Sequence, residues 1–574
     1  MSDINAEVIA VFPNQVRVAV DQLESFQAAD ESLRVGSYLK VCDNENVALI
    51  CVIESFSIEL REPEKGKFER RYIIDAFPLG TLRDGKFKRG GDELAIPPKQ
   101  VFPATAEEVR SIYAGAFEPD VSFCFASLTR QRSIQVPVQG DKFFSKHIAV
   151  VGATGSGKSH TVAKILQSAV SSKATAFSDL NNSHIVVFDI HGEYANAFPE
   201  ATVLTADQIR LPYWLMNGEE MDEVFLESGD NNNYNQESLL RTVIALCKNR
   251  NVGHGESVYF DSPVPYDVTE VLNCLDNLIR ETKDAENPLR VVFQDGSEQS
   301  FVDEEEKLSA YCKQRLKFAA LVRSKINRGT YADGSIDKFV RRIVAKVENP
   351  RLAFMFGEQA RTATFEDVLR QLIGYGADKR SNVTIIDLSG IPFEVLSIAV
   401  SLISRLLFDF GYHSRRQKGA TDTPLLLVYE EAHKYAPRSN LARYKASLIA
   451  LERIAKEGRK YGVTLLIATQ RPSEISETIF SQSSNFLAMR LTNPDDQAFV
   501  RRLLPDALGN VTDILPALEA GEAILMGDAC VLPAVVYVSE CEPPPHSEDV
   551  HYLRLWSQPW KDVDFSSITT KWSR

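Results

Sequence analysis

No Cys-x-x-Cys pair occurs in this chain of 574 residues; its eight cysteines, at 42, 51, 124, 247, 274, 312, 530 and 541, are scattered. That argues against a zinc ribbon or a disulfide framework and points to a reducing, cytoplasmic protein. No apolar run approaches the roughly 18 residues of a membrane helix. The opening MSDINAEVIAVFPN has no basic stretch followed by an apolar one, so neither a membrane span nor an export signal is expected. Basic charge is also in deficit, 64 Lys and Arg against 78 Asp and Glu, for a net charge of −14. A broadly basic surface that coats nucleic acid is excluded; a narrow basic channel, averaged away in a whole-chain sum, is not.

What is present is a chain long enough for several domains. Residues 1 to about 100 read as short strands (AEVIAVF, QVRVAV, SYLKV, VALICVIESFSIEL, RRYIIDAFPLG) parted by polar turns, a small β-barrel pattern. From 147 onward apolar runs alternate with helical patterns: HIAVV, HIVVFDI, VTIIDL, LLLVYE, TLLIAT and NFLAMRL. That is the signature of a mostly parallel sheet covered on both faces. Between about 215 and 375 the strand rhythm stops, and QESLLRTVIALC, DVTEVLNCLDNLI and KQRLKFAALVRSKI carry apolar residues at helical spacing. The expected order is a β-barrel (1–100), a linker (101–140), an α/β core in two parts (141–214 and 376–540) around a helical insertion (215–375), and a tail (541–574). The insertion reads either as a satellite bundle or as a substrate grip. Three of the four tryptophans, 556, 560 and 572, crowd the tail, which must dock on its own subunit or on a neighbour.

The chemistry begins at GATGSGKS, residues 152–159. Gly152, Gly157, Lys158 and Ser159 meet the G-x-x-x-x-G-K-[ST] pattern, with Ala153, Thr154, Gly155 and Ser156 inside the loop and His160 just after it. Such a loop turns backbone N–H groups onto phosphate oxygens at the positive pole of a helix. Lys158 is expected on the β and γ phosphates of ATP and Ser159 on Mg²⁺. LLLVYEEAH supplies the acids at the carboxyl end of a central strand: Glu430 for the metal side and Glu431 to polarise the attacking water. Gln470, at the tip of TLLIAT, is placed to sense the γ-phosphate. Arg459, in IAKEGRKYG, is expected to point toward the sheet's carboxyl edge, as an arginine finger for a neighbour's nucleotide or as a cation closing a helix. Asp189, His191 and Glu193 of FDIHGEY suit the orientation of water, Mg²⁺ or a neighbouring chain better than a transition-metal site. Lys434, Arg438, Arg443 and Lys445 are either pore contacts for DNA or a solvated face.

GATGSGKS, DIHGEY, LVYEEAH, EGRKYG and ATQRPSEI, in this order around a helical insertion, resemble the HerA family of hexameric DNA translocases, relatives of FtsK-type motors. The resemblance implies a RecA-like core behind an N-terminal barrel, a homohexameric ring with ATP sites between subunits, and double-stranded DNA in the pore. It further implies an effector, a nuclease or a sirtuin-like NADase, docked on the barrel face, in DNA end processing or anti-phage defence. It assigns Lys158, Ser159, Glu431 and Gln470 to the ATP site, gives Arg459 a role in trans, and makes the tail a brace between subunits. Glu430, after Tyr429, stands where wider P-loop families commonly have Asp. A reading from another class is an ATP-gated scaffold that activates an effector without translocation.

Overall fold

A computed structural model of the chain describes residues 6–12, 15–21, 26, 33–44, 47–64, 67–84, 86–90, 100–172, 180–226, 233–252, 258–321, 325–376, 379–418, 422–438, 445–503, 506–546 and 550–572. The N-terminal strands form a seven-stranded antiparallel sheet dominated by a long hairpin, Val47–Glu64 with Lys67–Arg83. Register shifts between Ile50/Cys51 and Ile53/Ser55 mark irregularities that let the hairpin curl around a core of Val18, Leu39, Ile53 and Ile74. Its two ends meet through a single bridge, Glu7 with Gln100. The sheet is thus a half-barrel, and the closed barrel expected from the strand pattern is corrected: a single bridge does not form a closing ladder.

The large sheet has eleven strands, in the order Thr202–Leu204, Val383–Asp387, His184–Asp189, Leu425–Tyr429, Val463–Thr469, His147–Val151, Ser483–Met489, Glu522–Gly527, Ala534–Tyr537, Ser122–Leu128 and Gln135–Gln139. Pairing is parallel as far as Ser483–Met489 and antiparallel beyond. Residues 122–139, expected in a linker, therefore belong to the far edge of this sheet. The central strands are buried along their whole length, because helices cover both faces. The longest is Phe393–Arg416. Its 22-residue stretch Val395–Arg416 is long and apolar enough to cross a bilayer, yet 78% of its most apolar window is buried in the protein, as a core helix requires.

The region 215–375 contains helices such as Asn233–Asn251, Val268–Arg280, Glu304–Lys313 and Asp337–Val347, and also a four-stranded antiparallel sheet of short strands between 282 and 328. Of the helix expected over KQRLKFAALVRSKI, the described residues 314–321 form none. Phe318 bridges Phe293, Ala319 N–H donates to Val292, and Leu316 N–H donates to the Asn277 side chain. Sheet pairing, not a helical face, accounts for the apolar spacing. Glu220 ties the region to the core: fully buried, it accepts from Arg405 (2.9 Å) and Ser401 (2.9 Å) of the long helix.

Candidate ATP site

The strand His147–Val151 delivers the P-loop to the carboxyl edge of the sheet, and the helix Lys158–Ser171 begins on its last residues. Glycine is required here for two reasons. Gly155 and Gly157 have φ of +72° and +89°, a region side chains disfavour. A β-carbon on Gly152 would lie 2.5 Å from Ser156 Oγ and 2.9 Å from Met489 Cβ. The loop is braced from behind, where Gly521 N–H donates to the Ser156 carbonyl (2.9 Å) and Ala153 N–H to the Arg490 carbonyl (2.8 Å).

Four of the expected residues meet in one chain of contacts. Lys158 Nζ donates to Glu431 Oε1 at 2.6 Å, Gln470 Nε2 donates to the same oxygen at 2.7 Å, and Thr154 Oγ1 donates to Gln470 Oε1 at 2.5 Å. Glu431 sits just past the strand Leu425–Tyr429 with φ +46°, one of two non-glycine residues in the left-handed region among the described residues. Such a conformation costs about 1–2 kcal/mol and persists where the surroundings dictate it. Here it aims the carboxylate at Lys158. Burial raises the Glu431 pKa, but the His433 hydrogen bond and the Lys158 charge outweigh that and hold it at about 2, so the group stays a carboxylate.

Glu430 has the opposite environment. Burial, then the nearby Asp189 carboxylate, pushes it up to about 9. Asp189 ends the adjacent strand and is wholly buried; its two oxygens accept from the backbone N–H groups of His191, Gly192, Glu193 and Tyr194. It thereby shapes the turn that presents Glu193. Ser156 Oγ, Glu193 Oε2, Tyr194 OH and Glu430 Oε2 are buried with no hydrogen-bond partner. Orphaned polar atoms of this kind around a phosphate loop fit a triphosphate and a hydrated Mg²⁺, with Ser159 and Glu430 on the metal side.

Two expected residues lie elsewhere. His160 turns its ring to the Cys541 thiol, Nδ1 to Sγ 3.5 Å, toward the C-terminal segment. Arg459 belongs to the turn before the strand Val463–Thr469, at the amino end of the sheet, so its expected orientation toward the carboxyl edge is corrected. Strands that run parallel to the P-loop strand put their starts at the opposite edge from the nucleotide. The Arg459 side chain is exposed, and among the described residues none accepts from it. Of the basic residues after the strand Leu425–Tyr429, Arg438 pairs with Glu477 at 2.6 Å, Lys434 and Lys445 are exposed, and Arg443 lies outside the described residues. Arg490 and His433 were not singled out by sequence reasoning; the available signal was that NFLAMR ends a strand beside the P-loop strand.

The C-terminal segment crosses the same site. Gln167 donates to the Pro543 carbonyl (2.9 Å), Asn196 to the Pro544 carbonyl (2.7 Å), and His546 N–H to the Glu193 carbonyl (2.8 Å). Beyond it, residues 550–572 are exposed wherever described, including Trp556 (76%), Trp560 (97%) and Trp572 (83%).

Residues 123–407 match the family described as "Helicase HerA, central domain". The chain belongs to the HerA family. It is 25% identical to a probable helicase of Methanocaldococcus jannaschii over 96% of this chain and 95% of that one. To the DNA double-strand break repair helicase HerA of Saccharolobus solfataricus it is 25% identical, over 81% of this chain and 77% of the relative. Among solved structures, VirB4 of Thermoanaerobacter pseudethanolicus aligns with 74% of this chain and 98% of its own at 13% identity and a TM-score of 0.46. As a HerA-family protein with a P-loop facing a buried carboxylate, the chain is an ATP-hydrolysing enzyme.

Proposed function

We propose that this HerA-family chain is an ATP-driven translocase or helicase acting on double-stranded DNA as a homohexameric ring, with ATP and Mg²⁺ held between subunits. The observation that carries the reading is the Lys158–Glu431–Gln470 chain of contacts, which joins the phosphate-binding amine, the water-polarising carboxylate and the γ-phosphate sensor around the buried Lys158–Glu431 pair. Arg459, exposed and without a hydrogen-bond partner among the described residues, lies at the edge away from its own P-loop, which supports a role in a neighbour's site. The exposed aromatic tail supports contact between subunits, since an isolated chain rarely keeps that much apolar surface in water. Phosphate release with and without duplex DNA tests the proposal: DNA stimulates turnover in the wild type, and Glu431→Gln removes turnover by about a hundredfold or more while ATP binding persists. Equal rates with and without DNA, and no DNA binding at low salt, overturn it.

A second reading, a ring that assembles and activates an effector such as a nuclease or a sirtuin-like NADase in DNA end processing or anti-phage defence, is favoured by the half-barrel. Its long hairpin exposes Ile58 (57%) and Leu60 (67%), and the edge strand Ala6–Phe12, separated from the hairpin by the strand Gln15–Val20, exposes Phe12 (44%). Native mass spectrometry of the protein expressed with its genomic neighbours reads ring size and effector together; a monomer without a partner removes this reading.

A further inference from the structure

Arg490 follows the strand Ser483–Met489, the neighbour of the P-loop strand on the side away from Gln470. Its own carbonyl is fixed by Ala153 N–H, and its guanidinium, in an exposed contact, donates from Nη2 to the Gly155 carbonyl at 3.0 Å. Among the described residues no carboxylate pairs with it. A β-carbon on Gly155 would lie 3.5 Å from that nitrogen, so the guanidinium lies directly against the tip of the loop.

This is an unusual use of an arginine. A planar cation with five donors suits a carboxylate or a phosphate, and hydrogen bonds to charged acceptors are about twice as strong as those to neutral ones. A single backbone carbonyl leaves most of its capacity unspent. The same loop directs its amides inward to cradle phosphates, so a guanidinium held at the Gly155 carbonyl stands at the rim of that cradle. Lys158, the cation within the motif itself, is engaged by Glu431.

We propose that Arg490 is a cis-acting phosphate-binding residue, whose guanidinium leaves the Gly155 carbonyl when nucleotide enters and donates to the terminal phosphate of a triphosphate held in the same subunit's P-loop. The proposal rests on the reading of this site as an ATPase. It makes Arg490 a discriminator between triphosphate and diphosphate, because ADP offers its phosphates only to the inner amides and Lys158. A residue that merely braced the loop would affect both nucleotides alike.

The test compares Arg490→Ala and Arg490→Lys with the wild-type full-length protein, by competition of ATPγS and of ADP against a fluorescent nucleotide and by steady-state phosphate release. The expected result for Arg490→Ala is a loss of ATPγS affinity of about tenfold or more with ADP affinity changed less than about threefold, as removal of a charge-assisted hydrogen bond predicts. Arg490→Lys, which keeps the charge and tests the role should the alanine variant fail to fold, recovers part of the ATPγS affinity. Parallel losses for ATPγS and ADP, or unchanged ATPγS affinity, overturn the proposal. A wild-type protein that hydrolyses no ATP overturns the ATPase reading instead, so the two failures are separable.

Discussion

His147 carries a consequence for acid stability. Its imidazole bridges two elements: Nδ1 accepts from Leu465 N–H (3.0 Å), which leaves Nε2 to donate to the Ala455 carbonyl (2.9 Å). Protonation destroys the acceptor, and burial lowers the pKa to about 4. Because the folded-state pKa lies below the unfolded value of about 6.5, this group's contribution is complete above pH 6.5 and is lost as pH falls toward 4, a loss of about 3 kcal/mol. Urea unfolding at stepped pH is expected to show that loss, and His147→Gln to flatten it. At the same scale Glu431 is legible in the sequence, since two acids after an apolar strand are an unambiguous pattern. Its left-handed backbone is not, because no residue type announces φ +46°. Arg490 escaped notice for a similar reason: what makes it notable is a neighbour 335 residues away, in a strand order that periodicity does not encode.

Among the elements, the long helix Phe393–Arg416 is tied to the inserted region through a buried anion. Glu220 accepts from Arg405 and Ser401, and its carboxylate also receives Asn217 N–H, closing the capping box of the helix Gly218–Phe225. Glu220→Ala leaves Arg405 with the more distant Asp409 (3.7 Å) and the Leu215 carbonyl (2.6 Å) and is expected to cost about 3 kcal/mol, read as a shift in urea midpoint, whereas the exposed ion pair Arg370–Glu366 is expected to yield under about 1 kcal/mol on the same assay. The elements most legible in the sequence were the fully buried strands, whose continuous apolar runs have no competing interpretation. The extended segment around Phe318 was misread because alternate pairing with Phe293 places apolar residues at intervals that also suit a helix. Strands at 122–139 were hidden by length and composition, and only the ladder with Ala534–Tyr537 reveals their place.

For the whole molecule, the exposed tail separates two kinds of stability. Deleting residues 550–572 removes no buried core of the subunit, so the melting temperature of the isolated chain is expected to change by less than about 2 °C. Assembly measured by light scattering is expected to fall apart, and a truncated protein that keeps its ring assigns the tail to some other partner. Substituting Trp556, Trp560 and Trp572 together by Ser is expected to reproduce the effect without shortening the chain.

The anchoring of His546 on the Glu193 carbonyl limits how far that tail can travel. A chain spans at most about 3.5 Å per residue, so Trp556 lies within about 35 Å of that anchor, in the loop after Asp189. Whatever surface the aromatics contact is therefore held within that radius of the turn that Asp189 shapes beside the P-loop.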